Sequence, residues 1–414
     1  MIIENGLPDV HTTVQPVDDQ VEGSAACIRS DVLEVSVLPS FEEATFDWQQ
    51  LERVGRSIPY QSFGWLKAWQ DTLGETAGIE ALVAVGRING NPVVLLPLGL
   101  QHVSGTKSLS FLGHQNGNQN TGLWDPSFYN IVTPKQIRQF LLDICRKSGA
   151  DLISLQNIPE TWNGRQHPLV SASSTPSPSP VFAQALPEDF EEFFKQTHNK
   201  SARKNLLRKQ RHLQAAERYK VTKAQTKAEI ERGLLAFLEQ RAKRSEAAGI
   251  PNAFSNAPAR EFLSRLLGLG LDASDKDTHM MDLWFLEAGG AIRSTYLCLE
   301  NDRTLFAYSN SVAHDEMLPN SPGLVLIKEI VSYACSSPTL RELDLGLGEE
   351  RYKTVWTAAV PLADCSLACT WKGRAKMRID TALIRTKSVI RNSKTLWPLV
   401  RRLRKWKAGL GNSA

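Results

Sequence analysis

The sequence predicts an α+β protein with mixed central sheets flanked by helices, divided over more than one core. Three observations carry this. The chain has 414 residues, more than one hydrophobic core ordinarily supports. Its hydrophobic content of 42% and charged content of 22% are those of a globular protein rather than a disordered one. Finally, helical and two-residue periodicities alternate in an order that suits neither an all-α nor an all-β fold.

The elements follow in order. Residues 1–31 are polar and lack periodicity, so they are expected to be disordered. Residues 32–38 read as a strand, followed by a helix carrying Phe46, Trp48 and Leu51. In YQSFGWLKAW, Trp65, Ala68 and Trp69 share a helical face, which suits large core anchors. Residues 81–85 and 92–100 flank Asn89-Gly90, a strong hairpin pattern. A strand at 107–112 opens into HQNGNQNTGLWDPSF, long and polar enough to suggest function. A helix at 134–147 and a strand at 151–156 complete a first half, 32–172.

The Ser/Pro-rich stretch 173–186 then punctuates the chain, as a flexible linker or as a surface loop leading to a strand. The second half, 187–371, opens with a helix at 187–196 and continues into HNKSARKNLLRKQRHLQ. That strongly basic helix is either a solvated face or an anion-binding wall, with Arg203 and Lys204 as candidate contacts. A strand at 219–224 and helices at 226–247 and 257–271 follow. Residues 281–286, 291–299 and 304–310 read as three antiparallel strands.

The stretch 321–356 organises the rest. Ser321 suits an N-cap and Pro322 the first helical position. Leu324, Ile327, Ile330 and Val331 recur at helical spacing, so that face is expected to be buried. Leu340, Leu343 and Leu345 form a strand closed by Gly346 and Gly348, at the strand mouth where open α/β sheets bind ligands. A second helix begins near Tyr352-Lys353. Asp344 lies within the apolar strand, where a carboxylate needs a partner or a raised pKa. It is either half of an ion pair or a poised base. Tyr308, in FAYSN, is either a proton donor or a core aromatic.

Charge and cysteines bound the rest. The net charge is +4, but residues 372–407 hold thirteen Lys and Arg against Asp380 alone. The body is thus at −8 and the tail, 372–414, at +12. The tail interleaves its basic residues with Met377, Ile379, Leu383, Trp397 and Trp406, so it suits an anionic membrane surface or the protein's own acidic body. No run of about 18 apolar residues exists to span a membrane. Nor does the N-terminus look like a secretory signal. Six scattered cysteines without a CxxC pair suggest free thiols in a reducing cytosol, and no metal site.

PG, the apolar helix, LDLG, EE-x-YK and Trp356 together resemble the CelD/BioF-like acetyltransferases of the GNAT acyl-CoA transferase superfamily, which are related in fold to Fem-type peptidyl transferases. The resemblance spans roughly residues 35–371 and implies two GNAT-like halves in tandem. It also includes the QS-x-x-WL-x-AW segment with Trp65 and a loop ending at Asp125-Pro126. It implies acyl transfer from acyl-CoA to an amine or hydroxyl of a small molecule or saccharide, in bacterial cellulose, exopolysaccharide or envelope metabolism. Lys353 would stabilise charge at the reacting carbonyl, with Asp344 and Tyr308 as further catalytic candidates. Ser321, Gly323 and Leu324 would hold the CoA phosphates at a helix N-terminus. Tyr352, Arg203, Lys204, Trp65 and Asp125 would contact substrate. The superfamily's Gln/Arg-x-x-Gly-x-Gly/Ala signature is reduced here to Pro322-Gly323. The expected place is the cytoplasm, peripherally at the inner membrane face, with no DNA partner. Aminoacyl-tRNA as donor, or a non-catalytic scaffold, are the alternatives.

Overall fold

In a computed structural model, residues 32–269 and 279–392 are described. The chain begins with β1 (Glu34–Leu38), α1 (Phe41–Val54), α2 (Phe63–Trp69), β2 (Glu80–Ile88), β3 (Asn91–Val103) and β4 (Thr106–Phe111). Then come β5 (Leu123–Trp124), α3 (Pro126–Ile131), α4 (Pro134–Ser148) and β6 (Leu152–Pro159). A small hairpin of β7 (Thr161–Trp162) and β8 (Arg165–Gln166) precedes β9 (Thr175–Pro176) and β10 (Val181–Ala185).

The second half runs α5 (Phe190–Thr197), α6 (Lys200–Gln214), β11 (Lys220–Lys223), α7 (Lys227–Ala248) and α8 (Ala257–Leu266). It continues with β12 (Asp282–Ala288), β13 (Ala291–Asn301), β14 (Thr304–Val312), α9 (Pro322–Ser336), β15 (Glu342–Leu347) and α10 (Lys353–Trp356). β16 (Ala358–Val360), β17 (Leu362–Ala368) and α11 (Trp371–Asn392) end it.

Local chemistry sets these boundaries. Asn89 and Gly90 both take positive φ, 52° and 79°, as the tight turn between β2 and β3 requires. Thr133 and Gln136 form a capping box on α4, and Gly149 ends that helix in the left-handed region. Thr226 and Glu229 do the same for α7, which Gly249 ends.

Two sheets result. The first has the order β1-β2-β3-β4-β6-β17-β9, with β5 on β3, and the second β11-β12-β13-β14-β15-β10-β16. In each, a single parallel pair stands among antiparallel ones. It is β4 with β6, at Ser108↔Leu152 and Leu109↔Ile153, and β14 with β15, from Thr304↔Glu342 to Phe306↔Asp344. Beyond those residues each pair of strands separates.

One large core joins α1, α2, α7, α8 and the first sheet to one face of the second sheet, through Leu283, Phe285, Leu297 and Phe306. A smaller core packs α5, α6 and α9 on the other face, through Leu286, Tyr296, Ile330 and Leu345. The second sheet is therefore covered on both sides. Fully buried Phe262 and Phe285 contribute about 1.5–3 kcal/mol each relative to exposure.

Three expectations are corrected and one choice between readings is decided. Of the two readings of 173–186 the second holds: a surface loop leads to β10, which pairs with β15 in the second sheet. Conversely, β17 lies within 187–371 yet pairs with β6 in the first sheet. The division at 172 thus cuts the first sheet, whose β9 and β17 lie beyond it, and that at 186 parts β10 from the rest of the second. Cys145 and Cys369 are not free thiols but form a disulfide with Cα atoms 6.4 Å apart, because β17 carries Cys369 to the end of α4. Cys298, Cys335 and Cys365 are buried thiols. On α9, the buried face is Val325, Leu326, Ile327, Ile330 and Val331, while Leu324 is 40% exposed.

The tail is helical to Asn392. Residues 1–31 and 393–414, which include Cys27 and the end of the basic tail, lie outside the described residues. No helix among the described residues is long and apolar enough to cross a membrane.

Candidate functional site

The site forms where β14 and β15 part. Their ladder ends at Phe306↔Asp344, and the chain beyond Asp344 turns through Gly346 and Gly348 at φ of 75° and 90°. A Cβ on Gly346 would stand 2.5 Å from Nδ2 of Asn118, so a first-half loop approaches this turn as closely as glycine allows.

Asp344 is 3% exposed. Its Oδ1 accepts the Gly346 N–H at 2.6 Å, and its Oδ2 accepts Nε2 of Gln119 at 2.7 Å. Burial pushes the carboxyl up to about 6, against the Gly346 N–H, the Lys353 charge and the Gln119 amide, which favour the carboxylate. Such a group is ionised at neutral pH and basic enough to take a proton.

Lys353, 7% exposed, sits on the one-turn α10. Its Nζ donates to the Leu347 carbonyl at 2.7 Å. Burial lowers its pKa, opposed by the carboxylates of Glu350 and Asp344. Lys353 and Asp344 thus flank the same glycine turn.

Sequence reasoning marked the polar loop but missed its working residues. Trp69 Nε1 donates to Asn116 Oδ1 at 2.8 Å, and Asn118 Nδ2 to the Tyr60 hydroxyl at 2.9 Å. Gln61 Oε1 accepts the N–H groups of Thr121 and Gly122, both at 2.7 Å. Asn120 reaches β6, its N–H donating to the Asn157 carbonyl and its side chain to that of Gln156, both at 2.9 Å. The loop therefore occupies the gap where β4 and β6 separate, and extends Asn118 and Gln119 to the corresponding gap of the second sheet. Its length and polarity were the available signal.

The remaining candidates divide. Tyr308 packs against Trp65 and Tyr60, with ring centroids 5.3 and 6.0 Å away, and burial raises its phenol well above the ordinary value. Trp65 is fully buried between Tyr60, Phe262 and Tyr308. Both form the inner wall, and the buried indole N–H of Trp65 has no hydrogen-bond partner among the described residues. Tyr352 is half-buried; its hydroxyl lies 2.9 Å from that of Tyr296 and accepts Nδ2 of Asn310 at 3.1 Å. Asn310 is on β14, so this bond spans the gap.

Asp125 caps α3, accepting the N–H groups of Ser127 and Phe128 at 2.9 and 3.2 Å. Arg203 donates to the carbonyls of Lys195 and His198 at the end of α5. Both expected substrate contacts are thereby engaged in holding helix ends. Lys204 is exposed, in line with Lys200, Arg208 and Arg211 on α6.

Ser321, Gly323 and Leu324 do open α9. Ser321 is the N-cap by position, but at φ 49° its side chain caps nothing. Instead its Oγ accepts Lys209 Nζ at 2.7 Å. A lysine at the positive end of a helix is electrostatically unfavourable alone and favourable around an anion. Gly323 lies close to β14, since a Cβ there would stand 2.8 Å from Cγ2 of Val312. Among the described residues, no group of three His, Cys, Asp or Glu is placed to hold a metal.

Residues 200–354 match the family model described as an acetyltransferase (GNAT) domain, so the second half carries an acyltransferase domain. No curated protein matches the chain in sequence. Among solved structures, FemX aligns at 9% identity and TM-score 0.54, over 84% of this chain and 99% of that one. A conserved protein of unknown function from Bacteroides thetaiotaomicron aligns at 10% and 0.50, over 81% and 100%. A tandem GNAT protein from the clavulanic acid biosynthesis pathway gives 10% and 0.45, over 81% and 99%. At these identities the likeness concerns the fold alone.

Proposed function

We propose that this acyltransferase moves an acyl group, acetyl in the simplest case, from acyl-CoA to an amine or hydroxyl acceptor. The observation that carries this is Asp344, a buried carboxyl poised near neutral pH where β14 and β15 part, with Lys353 across the glycine turn. The acceptor's nucleophilic atom would attack the thioester carbonyl carbon and give its proton to Asp344. Lys353 would stabilise the negative charge developing on the carbonyl oxygen. As the carbon–sulfur bond breaks, the thiolate would take a proton from the Tyr352 hydroxyl, which Tyr296 and Asn310 orient. Tyr308 is too enclosed by rings for that part. The phosphates would rest at the start of α9, where Ser321 and Lys209 meet.

The 321–356 motif supports the CelD/BioF-like branch, with a saccharide acceptor in exopolysaccharide or envelope metabolism. The basic residues of 372–407 support peripheral contact with an anionic membrane face. A second reading has a specific observation behind it. Lys200, Lys204, Arg208 and Arg211 form an exposed stripe on α6, which suits the backbone of an aminoacyl-tRNA donor.

The test is calorimetric titration of acetyl-CoA and of tRNA into the full chain, with thiol release followed over a panel of amines and amino sugars, each also in phosphorylated or carboxylated form. Micromolar acetyl-CoA binding with acceptor-dependent thiol release is the expected result. Salt-sensitive tRNA binding without acetyl-CoA binding would replace it by the second reading, and neither would leave a non-catalytic scaffold.

A further inference from the structure

Two cavities meet beside Asp344. One, of about 240 Å³, has Asp344 and Gln119 among its lining, with Phe306, Trp162 and Val181 as apolar walls. The other, of about 580 Å³, is lined by Arg53, Arg56, Arg303 and Arg341 against the carboxylates of Asp302 and Glu342. They share Arg56, Ala185 and Glu342. Glu342 and Asp344 are two residues apart on β15, on the same face, which places them roughly 7 Å apart along the strand.

The acidic residues here are already engaged. Asp302 accepts the Ser57 N–H at 3.0 Å, and Glu342 pairs with Arg56 and accepts the Thr304 hydroxyl at 3.1 Å. Arg56 also lies over the Trp162 ring, 4.5 Å from its centre. Arg341 spends its guanidinium on the Ser337, Pro338 and Leu340 carbonyls at the end of α9. Among the described residues, Arg53 uses only Nε, on the Gln49 carbonyl. Arg303 is held at φ 67°, its own carbonyl accepting the N–H groups of Arg341 and Glu342 at 2.7 and 3.1 Å. Its exposed guanidinium has no partner among the described residues. A concave surface with excess guanidinium charge concentrates anions, and the guanidinium fork fits phosphate or carboxylate oxygens.

We propose that this arginine groove binds an anionic group carried by the acceptor, phosphate or carboxylate, so that the attached nucleophile extends through the smaller cavity to Asp344. This rests on reading Asp344 as the base. The acceptor is then an anionic small molecule and not a neutral sugar or a bare amine. The charge on α6 and at Lys209 remains for the donor.

The experiment titrates inorganic pyrophosphate and citrate into the full chain, the Arg53→Ala/Arg303→Ala variant and Lys209→Glu. Both arginines are exposed, so their loss leaves the cores intact. The double variant is expected to weaken binding of one probe by about tenfold or more, with acetyl-CoA affinity unchanged; the probe affected identifies phosphate or carboxylate. Anion binding lost in Lys209→Glu but kept in the double variant assigns the anion to the donor site and overturns the proposal. So does a wild type that binds neither probe. If acetyl-CoA fails to bind while the arginine-dependent anion site persists, the acyl-transfer reading fails and the groove stands as an anion site.

Discussion

Gln119 Nε2 donates to Asp344 Oδ2 at 2.7 Å, linking residues 225 positions apart. The first half, through one loop amide, thus acts on the basicity of a carboxylate in the second. A hydrogen bond to a charged group contributes about 1.5–3 kcal/mol, and this one favours the ionised form against burial. Gln119→Leu is expected to raise the Asp344 pKa, so the acidic limb of kcat/KM should move to higher pH. A limb that stays in place would separate the two residues functionally.

Asp344→Asn should lower turnover by about 10²–10⁴-fold, the range for losing a general base. Its stability should carry a pH signature. The folded pKa of about 6 lies above the unfolded 3.8, so the protonated form favours folding. That contribution is complete below about pH 4 and is lost as pH rises through about 6. The asparagine stays neutral, so the melting temperature of Asp344→Asn relative to wild type should be higher at pH 8 than at pH 4. The differential amounts to about 2–3 kcal/mol at most. Equal differences at both pH values would show that Asp344 is not destabilised by its burial.

For Lys353→Met, the barrier should rise by about 2.7–4 kcal/mol, the cost of one preorganised charge-stabilising group. Methionine keeps the stem packed. The Leu347 carbonyl loses its donor, a cost of about 1 kcal/mol in stability, and Asp344 loses a neighbouring cation, so its pKa should rise. Single-turnover kinetics and thermal melts read these separately. Wild-type turnover in this variant would remove Lys353 from the site.

Lys209→Glu puts a carboxylate where α9 begins. Acetyl-CoA affinity should fall by about tenfold or more, about 1.4 kcal/mol, while the helix itself gains slightly from an acid at its N-terminus. Calorimetry against a melt distinguishes the two. Unchanged affinity would place the donor's phosphates elsewhere.

What the sequence revealed was local. Asn89-Gly90 announced a hairpin, and the 321–356 periodicity announced α9, β15 and the glycine turn, because those patterns express nearest-neighbour geometry. Asp344 stood out because a carboxylate in an apolar strand is anomalous whatever lies around it. Its partner Gln119 did not, since nothing in a polar loop says which amide will face which strand. Cys145 and Cys369 could not be paired by spacing, because a strand crossing from one sheet to the other brings them together. The arginine groove draws its charge from three separate segments, each an ordinary charged surface by itself. Nor could the sequence tell that the charges of Asp125 and Arg203 make hydrogen bonds at helix ends.

The place of β17 beside β6 also imposes a timetable on synthesis. β6 ends at Pro159, and its neighbour β17 begins at Leu362. A ribosome adding about 5–20 residues per second needs about 10–40 s to cover that interval. Throughout it, β6 is an unpaired edge carrying Leu152, Ile153, Leu155 and Ile158, which become buried in the finished protein, and such an edge invites pairing with other chains. The nascent first half depends on a strand not yet made, so anything that shields β6 on the ribosome governs the yield of folded protein.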